Sequence, residues 1–270
     1  MATDSPERPR LQARVVLRER TGLETVDLAF AFIRAHLGAY VRLLGCIVPP
    51  FLVAGALTTR ERATPWTIGA SLSLLAIGDA AFTVLAARLV FDADVRVRDA
   101  LGELIRRLPA LLWMRLMHAT GIALGTLCAV IPGVFLATRW CFASEVLLLE
   151  RASSWRALTR SQEIAVTDSG VALGVALGLP TVEAALGYAF GSAMHELFGG
   201  LMQAPALARW LTDSGEAVRY VGFALALPIV STARLLLYLG VRARIEGWDV
   251  QAAAAGLAAS TVSRKVAEAA

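Results

Sequence analysis

Residues 138–161 read TRWCFASEVLLLERASSWRALTRS, and this stretch indicates how the whole chain is built. Its first half is an apolar run that carries Arg139 and Glu145 and ends in the charged pair Glu150 and Arg151. Its second half, from Trp155, places apolar and basic residues at helical spacing. A charged exit from an apolar run, followed by an amphipathic segment, is typical of a membrane span and a second helix along the membrane surface.

The composition favours the same class of protein. Of the 270 residues, 57% are hydrophobic and 18% are charged, and the mean hydropathy is +0.61. A soluble domain of ordinary composition carries about 25% charged residues. The charges are also banded, because long apolar stretches alternate with short charged ones. We therefore expect an all-α polytopic membrane protein with about six transmembrane helices and short interfacial amphipathic helices.

Apolar runs set the predicted spans, because about twenty helical residues cross a bilayer. We expect a tight turn at Pro132 and Gly133 to lead into a short fourth span. The predicted domains are a flexible basic N-terminal segment at 1–22, a single six-span membrane domain at 23–249 and an Ala-rich tail at 250–270. The predicted spans are 38–58, 65–87, 109–131, a fourth that ends near 150, 169–190 and 220–240.

The fifth predicted span has small residues at every fourth position near its start. The sequence GVALGVALG places Gly170, Gly174 and Gly178 on one helix face. Small residues at this spacing let helix backbones approach each other closely in lipid. A helix-packing face is the preferred interpretation, and the lining of a pore is the alternative.

Three amphipathic segments lie outside the predicted spans, at 23–37, 95–108 and 153–164. This pattern is typical of interfacial helices, whose arginines can meet anionic lipid headgroups. The segments either hold the loops at the membrane or form a docking platform for a membrane or cytoplasmic protein. The residues that we expect to act as interfacial anchors are Trp155, Arg156, Arg160 and Trp248.

The distribution of basic residues predicts the orientation. The segment before the first span, the loops after the second and fourth spans and the tail hold 18 Lys and Arg residues, against 4 on the opposite side. The positive-inside rule then places both termini in the cytoplasm. The same rule accounts for the pI of 9.3, so we expect no nucleic-acid partner.

Charged residues inside the predicted spans are the candidate functional residues, because an ionisable group in a bilayer is costly unless it is paired. A rise of about 1.5 Å per residue puts Asp79, Glu145 and Arg234 about 20–24 Å from the outer ends of their spans. Arg115 falls near the same level when it is counted from the inner end of its span. We therefore predict a charge-balanced layer of two acids and two arginines.

A second layer is predicted nearer the outer side, where Arg139 and Glu183 fall at similar depths of about 8–10 Å. Two interpretations of both layers remain open. The pairs either hold the helices in register, which we prefer, or form a proton or solute pathway through the bundle.

The sequence contains no catalytic motif. His195 and Glu196 do not continue into the HExxH pattern of a zinc protease, and the GxSxG, Walker A and GxGxxG patterns are absent. No paired Asp-rich motif that would hold Mg²⁺ is present either. We therefore expect no enzymatic activity, no cofactor and no metal site.

The run FLATRWCFASEVLLLERASSWRALTRS and the Ile131-Pro132-Gly133 turn just before it resemble a pattern of six-span bacterial membrane proteins. These are the membrane domain of glycerophosphoryl diester phosphodiesterases and its free-standing relatives of unknown function. The opening TGLETVDLAFAFIRAHLGAYVRLLG is similar to their first helix. The ending ARLLLYLGVRARIEGWDV looks like their closing motif, with Arg242, Glu246, Gly247 and Asp249.

The resemblance implies a helical integral protein of the bacterial inner membrane and brings no catalytic residues to this chain. We prefer the hypothesis of a non-enzymatic accessory or scaffold protein that acts through its interfacial helices and a partner. The alternative is a small transporter or channel that uses the mid-membrane charges. Transporters often show two related halves, and no internal repeat is visible in this sequence, which favours the first hypothesis.

Overall fold

The computed structural model describes residues 22–61, 64–92, 95–203, 206 and 215–246. The predicted N-terminal segment, apart from Gly22, the predicted tail and Trp248 lie outside the described residues. The described residues form helices and contain no strand. The helices are α1 Gly22–Ala35, α2 Leu37–Glu61, α3 Pro65–Phe91, α4 Val97–Cys128, α5 Val130–Arg139, α6 Ala143–Leu149, α7 Ser154–Thr167, α8 Ser169–Leu173, α9 Leu179–Glu196 and α10 Gly215–Glu246.

The chain is an all-α, multi-pass membrane protein, as predicted. Its described part holds six helical stretches that are long and apolar enough to cross a bilayer. α3 and α10 are the most buried of these stretches, and α10 packs against α1, α2, α3 and α9. The spans are Leu37–Thr58, Gly69–Phe91, Val97–Cys128, Val130–Leu149, Ser169–Leu201 and Ala217–Ile245.

The predicted surface helix at 95–108 is not a separate element, because α4 runs without interruption through Pro109. Ala100, Leu104, Leu111 and Met114 are buried on one continuous helical stripe, so both halves pack against the bundle through the same face. At 32 residues, α4 is about 48 Å long, and it extends well beyond a hydrocarbon core of about 30 Å.

The turn between the third and fourth spans also differs from the prediction. It lies at Ala129, whose backbone is extended, and Pro132 and Gly133 belong to the first turn and a half of α5. Proline is tolerated there because the first helical N–H groups have no partner within the helix. Gly133 is needed for close packing, since a Cβ at this position would clash with Thr126 of α4.

The fourth span is broken in its middle. α5 ends at Arg139, a turn occupies Trp140 to Phe142, and α6 begins at Ala143. Ser161 of α7 bridges the break, because its Oγ accepts a hydrogen bond from the Phe142 N–H at 3.1 Å and donates to the Arg139 carbonyl at 3.1 Å. Unpaired backbone groups are costly in a membrane, so this side chain stabilises the irregular backbone next to Glu145.

The fifth span is longer than predicted. α8 and α9 are joined by a π-helical turn at Gly174–Gly178, and a second π-helical turn carries the helix on to Leu201. The predicted glycine packing face does not pack against another described helix, because a Cβ on Gly174 or Gly178 would have no atom within 4 Å. The close contact is made further along, where a Cβ on Gly222 of α10 would lie 2.7 Å from the Gly187 carbonyl oxygen.

Candidate functional site: an ion cluster shared by four spans

Asp79 of α3 is the centre of a buried ion cluster. Its Oδ2 accepts hydrogen bonds from Nη2 of Arg115 at 2.6 Å and from Nη2 of Arg234 at 2.5 Å. Its Oδ1 accepts from the same Arg234 nitrogen at 2.6 Å and from the Ser231 hydroxyl at 2.8 Å. The carboxylate thus links three spans, because its partners lie on α4 and α10.

Arg234 extends the cluster to the fourth span. Its Nε lies 2.5 Å from Oε1 of Glu145, which is in the first turn of α6 and is 0% exposed. The structure therefore brings together Asp79, Arg115, Glu145 and Arg234, the four residues that the depth estimate assigned to one layer. Two carboxylates against two guanidinium groups make the cluster neutral as a whole.

Charged side chains such as these can be buried only when they are paired with opposite charges. A single unpaired ion in a low-dielectric interior costs several kcal/mol, whereas hydrogen-bonded partners offset much of this cost. The geometry is therefore well suited to holding α3, α4, α6 and α10 together. It also makes the four spans interdependent, because each charge relies on a neighbour from another helix.

Three buried side-chain atoms in or near the cluster have no hydrogen-bond partner among the described residues. They are Nε of Arg115, Nε2 of His118 and Oε2 of Glu145. His118 packs edge-on against Trp140, with 5.9 Å between the ring centroids. Buried polar atoms normally find a protein or water partner, so these three mark a polar region that side chains alone do not satisfy.

The second predicted layer does not form, because no ion pair joins Arg139 and Glu183 among the described residues. The Arg139 guanidinium lies 4.7 Å from the ring centre of Phe135 instead. Glu183 was expected near the end of a span closing at 190, but the helix continues to Leu201, about 27 Å further along from Glu183. Glu183 is thus placed deeper than predicted, within electrostatic range of Asp79, Arg115 and Arg234.

Three of the four predicted interfacial anchors lie on α7, and the fourth, Trp248, is outside the described residues. Trp155 is 66% exposed, and Arg156 is also exposed. Arg160 is half-buried and contacts Glu163 at 2.9 Å and Glu150 at 3.9 Å. These three residues therefore share one amphipathic helix, as the sequence pattern indicated.

A polar network at the α7 end of the bundle was not predicted from the sequence. We use "α7 end" for the end at which α3, α6 and α10 finish and α4 begins. Here Oε1 of Glu150 accepts a hydrogen bond from the Tyr238 hydroxyl at 2.7 Å and lies 3.6 Å from Nη1 of Arg242. Tyr238 lies one helical turn from Arg234, a spacing of four that could have signalled a polar face on α10.

Comparisons with known proteins add no assignment to this site. No family model, no curated protein and no solved structure matches the chain. The resemblance to the phosphodiesterase-associated membrane domain therefore stays a prediction. Among the described residues, no group of three or more His, Cys, Asp or Glu side chains is arranged to hold a metal ion.

Proposed function

We propose that the protein is a non-enzymatic accessory or scaffold protein of the bacterial inner membrane, with both termini in the cytoplasm. In this role it presents α7 to a protein partner at the membrane surface. The observation that supports the proposal best is the contrast between the two faces of α7. One face is fixed to the bundle by specific contacts, and the other is exposed and carries Trp155 and Arg156.

The inner face of α7 is held along its whole length. The Ser154 hydroxyl donates to the Ala110 carbonyl of α4 at 2.9 Å, and Ser161 bridges the break in the fourth span. Asp168, directly after α7, pairs with Arg244 of α10 at 2.9 Å. A helix held at both ends and in its middle loses little conformational freedom when a partner binds, which favours binding.

The outer face has the residue types of a protein-binding surface. Trp155 and Val166 are eleven residues apart, about three helical turns, so they lie on the same side of the helix. Both are exposed, at 66% and 56%, and Arg156 is next to Trp155. Tryptophan and arginine are enriched among the residues that contribute most to binding at protein interfaces.

Purification in a mild detergent, followed by mass spectrometry of the proteins that co-purify, tests this proposal. We expect a stoichiometric partner with the wild-type protein and its loss with Trp155→Ala/Arg156→Ala. Trp66→Ala is the matched control, since Trp66 is 54% exposed in the first turn of α3, and α3 reaches the α7 end only with its last turn. Loss of the partner in the control as well, or the absence of any stoichiometric partner, would contradict the proposed role.

A second candidate function is a small transporter or channel, and Glu183 is the observation that favours it. This half-buried carboxyl makes no ion pair among the described residues, yet it lies in the field of the ion cluster. The unsatisfied atoms of Arg115, His118 and Glu145 are part of the same polar region. Ionisable residues within membrane spans often mark proton relays and substrate pathways.

Proton flux into liposomes, followed with an internal pH-sensitive dye, tests the second candidate. We expect Glu183→Gln to abolish a wild-type flux while leaving the ion pairs of the cluster in place. Glu196→Gln is the control, because Glu196 is an exposed acid near the end of the same span. A wild-type protein that moves no protons, or a Glu183→Gln variant with full flux, would count against this candidate.

A further inference from the structure

A cavity of about 270 Å³ opens at the α7 end of the bundle. Its walls come from the ends of three spans, α3, α6 and α10, and from α4 near its start. The volume is just below the range of about 300–1,000 Å³ that is usual for small-ligand sites. The residues that line it are Val84, Ala87, Arg88, Phe91, Asp92, Glu103, Leu148, Leu149, Arg151, Leu239 and Arg242.

The lining has two chemically different parts. Val84, Leu148 and Leu239 are buried and belong to the apolar core of the protein. The charged residues are only partly buried or exposed, and three of the five are arginines. An apolar floor below a rim of guanidinium groups matches an amphiphilic molecule with an anionic head. Basic pockets between membrane helices are known to take lipid headgroups.

Of the three arginines on the rim of the cavity, two lie beside acidic residues and one does not. Arg88 is paired with Glu103. The Glu103 Oε2 accepts hydrogen bonds from the Arg88 Nε at 3.1 Å and from the Arg88 Nη2 at 2.8 Å. Arg242 lies beside Glu150 and Tyr238. Arg151 is exposed and makes no ion pair with any residue that the structure describes. One guanidinium group on the rim is therefore free to meet a ligand.

The backbone of Arg151 provides an independent observation. Its φ is 55°, in the left-handed region, and it directly follows Glu150, the C-cap residue of α6. Glycine is the usual residue at this position, because a side chain is disfavoured there. An arginine that holds a strained conformation at the mouth of a charged cavity suggests a ligand contact, since backbone strain is concentrated at such sites.

We propose that this cavity binds the phosphate group of an anionic phospholipid, with Arg151 and Arg242 contacting the phosphate and the apolar floor contacting the adjoining lipid. The site does not depend on the proposed scaffold role. A phosphodiester carries one negative charge, which the guanidinium group of Arg151 can offset, because Arg151 makes no ion pair with the described residues. A phospholipid and free inorganic phosphate would both present a phosphate group to these arginines. The experiment distinguishes the two.

The test compares the purified full-length protein with Arg151→Gly. This change removes the guanidinium group but keeps, and even favours, the left-handed backbone, so the variant should fold. The measurement is the rise in Tm as phosphatidylglycerol is titrated into phosphatidylcholine–detergent micelles, because a ligand that binds the folded state raises its stability. We expect Arg151→Gly to bind phosphatidylglycerol at least roughly fivefold more weakly, the effect of losing one arginine near an anionic headgroup.

Two matched controls separate charge from backbone effects. Gln203→Gly makes the same type of change at another non-glycine residue with positive φ, 47°, without removing a charge. Arg42→Ala removes an exposed arginine of α2 that does not line the cavity. Both controls should keep the wild-type response to phosphatidylglycerol.

Three outcomes would overturn the proposal. The first is a wild-type response in Arg151→Gly, and the second is an equal loss in Arg42→Ala, which would indicate non-specific attraction to surface charge. The third is a Tm increase with inorganic phosphate that phosphatidylglycerol does not produce, which would make the site one for free phosphate. Loss of the lipid response in Arg151→Gly alone supports a lipid site.

Discussion

The hydroxyl of Ser161 lies 3.1 Å from the backbone nitrogen of Phe142, so a side chain of α7 satisfies the backbone at the break in the fourth span. The same hydroxyl donates to the Arg139 carbonyl, and the Ser161 side chain is fully buried. α7 is therefore connected to the span that carries Glu145, and through Glu145 to Arg234 and the ion cluster.

Ser161→Ala should destabilise the protein. The substitution removes both hydrogen bonds and leaves a buried N–H and a C=O group without this partner, at a cost of about 1–3 kcal/mol for each unsatisfied group. Thermal unfolding in detergent measures the effect as a lower Tm. Thr159→Ala is the control, because Thr159 is exposed and bonds only within α7. Equal Tm values for the two variants would show that the bridge contributes nothing to stability.

Neutralising one member of the ion cluster should cost more than neutralising an exposed charge. Glu145→Gln leaves Arg234 with one charged partner fewer, and breaking a buried pair typically costs about 3–5 kcal/mol. Glu163→Gln breaks the more exposed pair with Arg160 and should cost less than about 1 kcal/mol. Equilibrium unfolding of both variants in the same detergent makes the comparison.

The double variant Glu145→Gln/Arg234→Gln should lose less stability than the sum of the two single variants. It keeps the Asp79–Arg115 pair and restores charge balance, so the double-mutant cycle should give a coupling energy of about 1–3 kcal/mol. Exchanging Asp79 and Arg234 is not expected to rescue folding, because it would place an arginine beside Arg115 and an acid beside Glu145. A coupling energy near zero would contradict the pairing.

Two glycine-to-alanine substitutions should have opposite effects. Gly222→Ala would place a Cβ 2.7 Å from the backbone oxygen of Gly187, so α9 and α10 must separate at a cost of about 1–3 kcal/mol. Gly174→Ala meets no atom within 4 Å, and alanine is favoured over glycine in a helix by up to about 1 kcal/mol. The Tm should fall in the first variant and stay or rise in the second. A lower Tm for Gly174→Ala would support the glycine packing face that was predicted from the sequence.

Tyr238→Phe removes the hydrogen bond to Glu150 at the α7 end of the bundle. The expected loss is about 1–3 kcal/mol, because the acceptor is a charged carboxylate. Tyr188→Phe, at an exposed tyrosine on α9, should leave the unfolding midpoint unchanged. A Tyr238→Phe variant as stable as the wild type would mean that Arg242 and Arg160 satisfy Glu150 without the hydroxyl.

The helix repeat was enough to predict three members of the main ion cluster from the sequence, whereas the depth of Arg115 was counted from residue 109, which lies inside the continuous helix α4. Asp79, Glu145 and Arg234 lie in spans whose ends are close to the predicted ends, so a count of about 1.5 Å per residue gave useful depths. The same count failed for Glu183 because the fifth span extends to Leu201, and an error in a helix end moves every depth measured from it.

The break in the fourth span could not be predicted from local sequence. Trp140, Cys141 and Phe142 contain neither proline nor glycine, so no turn signal is present. The irregular backbone exists because Ser161, about twenty residues later, satisfies it. At 132–133, by contrast, proline and glycine predicted a turn that is not there. Both residues lie inside α5, and the chain turns at Ala129.

The partners in the ion cluster lie on spans that are synthesised at different times. A chain made from its N-terminus delivers Asp79 and Arg115 early, and they can pair as soon as the second and third spans are inserted. Glu145 is synthesised with the fourth span, but its partner Arg234 lies on the sixth. Until the sixth span enters the bilayer, the Glu145 carboxyl group within the membrane lacks its counter-ion Arg234. The sixth span therefore supplies the positive charge that the fourth span needs.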